Sequence, residues 1–366
     1  MFYSNSYQTA TFDTILMQDS ILVMGKKLCG TTIDELRSFL LEMGFNDDHA
    51  SRILISIYRK GVKTPREISN VSGEMRNALA THFSTGIFPP RNTQCSSDGT
   101  EKYLFRNDSE LEFETVYLSE KKRRTVCIST QAGCRMGCPF CVTGEYGFRG
   151  NLSAADMINQ VISLPGSKEV THIVFMGMGE PMDNIDEVLK ACTIMTSKWG
   201  LALSPGNITV SSVGIMPGIT EFLTRSECNL TISLHSPFPD ERKKMVPAEK
   251  KYPVRKIIEY LQLYPHKKKR RLSVAYIMIK DFNDTNSHLQ ELITLFKGTS
   301  IRVNLLPFHK IKNDNAETST DERMLFFKHN LVISGISASI RKSRGADISA
   351  ACGLLATDLI KMHQPG

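Results

Sequence analysis

Residues 124–141 read "RTVCISTQAGCRMGCPFC". The first seven alternate between polar and apolar side chains, as a half-buried strand does, and "QAG" then turns the chain into a loop. On that loop stand Cys134, Cys138 and Cys141, spaced C-x3-C-x2-C. Three soft thiolates on one loop are one ligand short of a tetrahedral site. Spacing alone leaves two solutions open: zinc completed by a distant residue such as Cys127 or His172, or a [4Fe–4S] cluster with one iron left for another ligand.

Beyond the loop the pattern becomes strand then helix, repeatedly. "THIVFMG", "NITVSS", "NLTISLH", "LSVAYIMI", "IRVNLLPF" and "SASIRKS" are apolar, β-branched runs, separated by helical stretches such as "NIDEVLKACTIMTSKWG" and "TNSHLQELITLFKG". Such alternation requires a parallel sheet with crossover helices. Six units are too few for a closed eight-stranded barrel, so the expected class is α/β, a partial (β/α)6 barrel. Ligands bind such sheets at the carboxyl ends of the strands, where "GMGEP", "SSVG", "SLHSP" and "PFH" fall. Before the loop, "KYLFRN", "LEFETVYL" and "RTVCIST" read as consecutive antiparallel strands, a short β extension. Earlier still, "TTIDELRSFLLEMGF", "DDHASRILISIYRKG" and "SGEMRNALATHF" space their apolar residues helically behind Thr, Asp or Ser caps. The expected division is a polar arm at 1–21, a helical accessory domain at 22–100 and a core at 101–366.

The 366 residues are 41% hydrophobic and 23% charged, ordinary for a soluble globular chain. The only early apolar run, "ILVMG" at 21–25, is too short for a signal-peptide core or a membrane span. Nine cysteines, three of them packed into eight residues, do not form a secreted disulfide framework. A cytoplasmic, monomeric protein whose cysteines are ligands and reactive thiols is expected. The net charge is +7, with basic clusters at 120–124, 241–251 and 266–271. Clumping of that kind suits a polyanion such as RNA, and suits a merely solvated charged face equally, since lysine runs are common on any surface. A non-catalytic RNA-binding protein with a structural metal knot is therefore the alternative to an enzyme.

The loop carries Phe140 immediately before its last cysteine and leads into a β/α body. In that context C-x3-C-x-aromatic-C resembles the radical S-adenosylmethionine superfamily. Longer pieces, "FETVYLSEKKRRTVCISTQAGCRMGCPFCVTGEYGFRGNLS", "FMGMGEPMDN", "SLHSPFPDERKKMVP", "IMIKDFND" and "RGADISAACGLL", resemble the RlmN/Cfr family of radical-SAM adenine methyltransferases over about 22–360. The resemblance implies that Cys134, Cys138 and Cys141 hold one [4Fe–4S] cluster and that S-adenosylmethionine takes the open iron, two molecules being used per turnover. It places Gly179, Glu180, Ser211, Ser233, Leu234 and His235 around that cofactor. Where the family pattern expects an asparagine contact, this chain has His309.

The resemblance further implies that Cys352 is methylated and then carries the carbon to be transferred. A radical generated at the cluster takes hydrogen from the S-methyl group, and the resulting carbon radical adds to the adenine ring. Cys127 releases the protein–RNA adduct by attacking the sulfur of Cys352, leaving a disulfide. Glu114 corresponds to the family's proton acceptor, although Glu110, Glu112 and Glu114 alternate as a solvent-facing strand edge would. The implied target is an adenosine of 23S rRNA, with tRNA as a second substrate and flavodoxin or ferredoxin as reductant. Pro181 in "GMGEP", where the C8-directed branch has alanine, favours methylation at C2 over C8.

Overall fold

The computed structural model describes residues 26–265, 270–311 and 315–363. The expected arm at 1–21 and Lys267–Lys269 of the third basic cluster lie outside them. Two compact units divide after Gly86. In the first, β1 (Lys26–Lys27) pairs in parallel with β2 (Phe83–Ser84). Three helices fill the interval: α1 (Ile33–Glu42), α2 (Ala50–Ile55) and α3 (Gly73–His82). Thr32 begins α1 with a reciprocal capping box: its hydroxyl accepts from Glu35 N at 3.3 Å and its own N–H donates to the Glu35 carboxylate at 2.7 Å. Leu36, Phe39 and Leu40, at helical spacing, are the face α1 buries.

The second unit holds a ten-stranded sheet. β3 (Asn92–Cys95), β4 (Thr100–Arg106), β5 (Glu112–Glu120) and β6 (Arg123–Ile128) run antiparallel. β3, which sequence reading put with the helices, is thus the outer strand of the β extension. From β6 the sheet continues in parallel through β9 (His172–Phe175), β10 (Ile208–Ser212), β11 (Asn229–Ser233), β12 (Leu272–Met278), β13 (Arg302–Pro307) and the three-residue β14 (Ala338–Ile340). A separate two-stranded ribbon, β7 (Gln131–Ala132) with β8 (Gly150–Asn151), brackets the cysteine loop. Crossover helices α5 (Ala154–Ile162), α6 (Ile185–Thr196), α7 (Met216–Arg225), α9 (Val254–Leu263), α10 (Asn286–Phe296) and α11 (Asp321–Ile333) connect the parallel strands, while α8 (Pro239–Met245) is a short extra turn after β11. The architecture is the expected partial barrel, with β6 shared between extension and barrel.

Strand alternation separates the two faces. Val126, Ile128, Ile173, Val210, Ile232, Val274 and Leu305 are fully buried toward the helices, against residues such as Ile158, Val188, Phe222, Ile257 and Leu292. Register puts the opposite set side by side: Cys127 beside Val174, Ser211 beside Thr231, Ser233 beside Ala275. That inner face is polar and self-bonded, with Thr231 Oγ1 2.8 Å from Ser273 Oγ and Ser339 Oγ donating to Asn304 Oδ1 at 2.8 Å.

The basic clusters fall elsewhere. Arg123 and Arg124 begin β6, and Arg271 immediately precedes β12, so all three stand at the amino ends of the parallel strands. Arg270 and Arg271 donate to the carbonyls of Leu223 and Gly206 at 2.9 and 3.0 Å. In the middle cluster Arg242 is fully buried rather than solvated. The basic runs are therefore not one continuous RNA-facing surface: one strand length separates two of them from the cysteine loop, and the third contributes a core residue.

Candidate active site

The cysteine loop leaves β6, turns at Gly133 and Gly137 and enters α4 (Val142–Tyr146). A Cβ on Gly133 would stand 1.6 Å from the carbonyl oxygen of Gly147, so no other residue lets the two sides of the loop meet there. Cys141 N donates to Cys138 O at 3.1 Å. Cys138 is 9% exposed and packs with Met245 and Val246 of the α8 end, with Met136, Phe140 and Val213 at the margin. Burial pushes the Cys134 thiol up to about 12 and raises Cys138 as well, and the negative charge that each neighbouring cysteine would carry adds to both. Thiols so reluctant to ionise become thiolates only when a cationic centre arrives. Among the described residues no three His, Cys, Asp or Glu converge on one ion. Cys134, Cys138 and Cys141 lie within electrostatic reach of one another on a loop that carries no carboxylate, a set of soft donors that would suit a [4Fe–4S] cluster. His172 starts β9, at the other end of the strands, where its Nδ1 lies 2.9 Å from Thr171 Oγ1.

Several of the expected cofactor contacts are committed to the protein itself. Gly179, at φ +99°, lets its backbone pass Gln131, whose Cβ would stand 2.6 Å from any added Cβ. Glu180 is buried, and its two carboxylate oxygens accept from Met182 N and Val213 N, both at 2.9 Å. Burial raises its pKa to about 7 against those amides. Glu180 thus ties the β9 turn to the β10 turn. Leu234 is wholly buried, whereas Ser211 and Ser233 remain half-buried on the inner face. His235 adopts φ +58° and its ring meets Phe140 edge-on, centroids 5.0 Å apart. Its Nδ1 accepts from Ile277 N at 3.2 Å, so the neutral ring carries its proton on Nε2. Burial and Arg242 lower its pKa to about 3, which keeps that tautomer across the physiological range. His309, half-buried, pairs its Nε2 with Ser343 Oγ at 2.8 Å, and burial lowers its pKa.

The carboxyl-terminal segment lies on the cysteine loop. Val142 N donates to Gly353 O at 2.8 Å and Thr143 Oγ1 donates to Leu355 O at 3.1 Å. A Cβ on Gly353 would come 3.0 Å from Phe140 O. Cys352 is exposed, and the potential charges of Cys141 and Arg341 both reach it. Cys127, on the inner face of β6, feels Cys352 in turn, and burial drives its pKa well above the ordinary thiol value. None of the nine cysteines is joined in a disulfide. Glu114 is not on a solvent-facing edge. It is 2% exposed, because β5 is flanked by β4 and β6 and covered by the terminal helix α12 (Thr357–His363). Its carboxylate accepts from Ala356 N at 2.7 Å and meets Lys102 Nζ at 3.1 Å.

Three residues escaped sequence reading. Arg242 donates to the carbonyls of Leu234, Val213 and Ser233 at 3.0, 2.6 and 2.7 Å and pairs with buried Glu249, fastening the ends of β10 and β11 together. Asn283 donates to His235 O and Ile277 O, both at 2.7 Å, and so fixes the left-handed turn at His235. Lys102 stands among carboxylates. "DERKKMVP" and "IMIKDFND" held two of the three in plain sight, but composition marks them only as charge and turn.

A family model described as the radical SAM superfamily matches residues 128–296. The chain is 44% identical to the probable dual-specificity RNA methyltransferase RlmN of Phocaeicola vulgatus over 330 residues, 90% of this chain and 95% of that protein. It is 41% identical to the protein of the same description from Porphyromonas gingivalis, over 90% and 96%, and 37% identical to that from Dictyoglomus turgidum, over 88% and 94%. The crystal structure of a radical SAM methyltransferase from Sphaerobacter thermophilus superposes with a TM-score of 0.83 at 33% identity, covering 90% of this chain and 99% of that one.

Proposed function

The chain belongs to the RlmN family of dual-specificity RNA methyltransferases within the radical SAM superfamily, and from that premise we propose that it converts an adenosine of 23S rRNA, and one in certain tRNAs, to 2-methyladenosine. Its cofactors are one [4Fe–4S] cluster and S-adenosylmethionine. Bound together, they supply a methyl group and a 5′-deoxyadenosyl radical. Everything else falls to the chain's own residues. Cys134, Cys138 and Cys141 hold the cluster, and the edge-on pair of Phe140 and His235 packs beside them. Ser211 and Ser233 offer hydroxyls from the inner face, the Gly179 backbone allows close approach, and His309 takes the place of the family's asparagine. Cys352 accepts the methyl group and, as a sulfur-bound methylene, joins adenine C2, an electron-poor carbon that electrophilic methyl transfer does not reach. Glu114 takes the proton from that carbon. Cys127, as its thiolate, attacks the Cys352 sulfur and breaks its bond to the transferred carbon, which takes a proton from solvent to become the methyl group; the disulfide that closes sheds the one surplus electron to the electron-transfer partner, and the RNA leaves.

The observation that carries this reading is the seat of the Cys352 segment on the cysteine loop, with Cys127 below it and Glu114 behind it. A protein that merely bound RNA around a metal knot has no use for a second thiol pair there. Adenine is stacked in folded RNA, so the target is flipped into the barrel mouth, and we assign the helices of 26–86 to holding the RNA around it. The chain works as a cytoplasmic monomer fed by a flavodoxin- or ferredoxin-type reductant. Reconstituted protein incubated with S-adenosylmethionine, reductant and unmodified rRNA or tRNA should yield 2-methyladenosine on nucleoside mass spectrometry. Recovery of 8-methyladenosine moves the chain to the C8 branch, and zinc without sulfide in anaerobically purified protein removes the enzyme reading.

A further inference from the structure

Lys102 has no part in the chemistry just described, yet it is 3% exposed. A buried ammonium persists only where it is paired. Its Nζ lies 3.1 Å from Glu114 Oε1 and 2.7 Å from Asp358 Oδ2. Asp358 also accepts from Gln94 Nε2 on β3 and Lys361 Nζ on its own helix, both at 3.2 Å. Tyr146 of α4 also lies within electrostatic reach of Glu114. Two carboxylates thus share one buried ammonium. Ala356 and Asp358 belong to the stretch that carries Cys352, so two of that segment's anchors rest on the Lys102–Glu114 pair. Two more, Gly353 and Leu355, rest on α4.

We propose that Lys102 is a positioning residue for this reaction: divided between Glu114 and Asp358, it makes the seating of the Cys352 segment and the charge on Glu114 depend on each other. The proposal rests on Glu114 being the proton acceptor. With the segment seated, burial raises the proton affinity of Glu114, opposed first by Lys102 and then by the Ala356 N–H. Lys102 keeps the buried carboxyl ionisable, and Asp358, by drawing on the same ammonium, keeps it basic. When the segment lifts, water enters and Asp358 leaves, so the whole charge of Lys102 falls on Glu114. The proton taken from the adenine carbon then passes to solvent. Glu114 is a strong base while Cys352 is in place and a weak one once it has gone.

The test uses the full chain with its cluster and two readouts: the pH profile of single-turnover nucleoside formation, and the rate at which iodoacetamide labels Cys352, which needs no turnover. Lys102→Met should move the acid limb of the profile upward by roughly 1–3 pH units, the shift a close opposite charge produces. Asp358→Asn should move it downward, since a negative charge near Glu114 is lost. Both should speed labelling several-fold, and Lys102→Arg should restore limb and labelling together. Limbs that stay put, or move in the same direction, overturn the proposal, because a merely structural role lowers activity at every pH alike. If Lys102→Met fails to fold, Asp358→Asn, 20% exposed at its side chain, decides alone by the same criterion. Normal turnover by Glu114→Gln sinks the proton-acceptor reading and this proposal with it; an inactive Glu114→Gln with unmoved limbs in the other variants sinks this proposal only.

Discussion

The same parallel strands end in two different chemistries. At their amino ends Arg123, Arg124 and Arg271 stand in conspicuous basic runs, yet Arg124 bonds Glu169 at 3.2 Å and Arg271 bonds the Gly206 carbonyl at 3.0 Å. At their carboxyl ends Arg135, Arg149, Lys243, Lys244, Lys310, Arg341 and Lys342 are all exposed, Lys243 and Lys244 on α8 and the others in loops. Groups at that end that look free in sequence, Glu180, His235 and Arg242, are spent on backbone amides and carbonyls. The thiols of Cys134, Cys138, Cys141 and Cys352 stand at that same end, none of them tied up in a disulfide. The contrast teaches that a basic run in the sequence does not mark the end of the strands where the cysteine loop stands, whereas the direction of the parallel strands does.

The sharpest way to break that asymmetry is to remove the sulfur. Cys138→Ala should lose the brown chromophore, the bound iron and sulfide, and all reductive cleavage of S-adenosylmethionine, while circular dichroism shows the β/α body intact. Cleavage at the native rate would show that the cluster is held elsewhere. Next in size is the separation of the other two thiols. Cys352→Ala should form no RNA adduct, having nothing to methylate. Cys127→Ala should accumulate protein joined to RNA through Cys352, seen as a shifted band that nuclease collapses. Turnover without adduct in Cys127→Ala would return that residue to the status of a buried thiol.

Much of this was legible in residues 124–141 and the strand–helix alternation that follows, because local periodicity and ligand spacing are properties of short stretches. The contacts that matter most are not local. Val142 and Gly353 are distant in sequence and bonded in space, and no pattern of either segment announces the other. Glu114 misled for a related reason. Of the three alternating glutamates only Glu112 and Glu114 belong to β5, Glu110 sitting in the preceding turn at φ +60°, and whether Glu114 faces water depends on α12, some 240 residues later. Arg242 was hidden by its neighbours, since a run of basic residues gives no sign of which one points inward.

Arg242 and Lys243 sharpen the comparison within a single helix. Arg242→Met strips buried Glu249 of its cation and three carbonyls of their donor, which should cost roughly 3–5 kcal/mol, the range for breaking a buried pair. Lys243→Met, one residue on and exposed, should stay within about 0.5 kcal/mol of the parent. Denaturant midpoints of the two reconstituted variants measure this directly. Equal midpoints would mean that the Arg242–Glu249 pair does not hold the strand ends.

The smallest expected effect is the one that tests the two ends against each other. RNA affinity falls with salt by about 0.7–0.9 in log–log slope for every phosphate a protein neutralises. If the carboxyl-end loops meet the RNA, reversing Arg149, Lys243 and Arg341 to Glu should weaken binding of an rRNA fragment and reduce that slope by about two units. Reversing Lys121, Lys122 and Arg124 should weaken binding only a few-fold, through the long-range field, and leave the slope nearly unchanged, because one strand of six residues, roughly 16 Å, separates β6's basic end from the cysteine loop. Each set carries the same change of charge, so net charge cannot account for a difference between them. A larger loss of slope in the second set would place the RNA backbone along the amino ends of the strands, and the flipped adenosine would then have to reach the sulfur from the opposite end of the barrel.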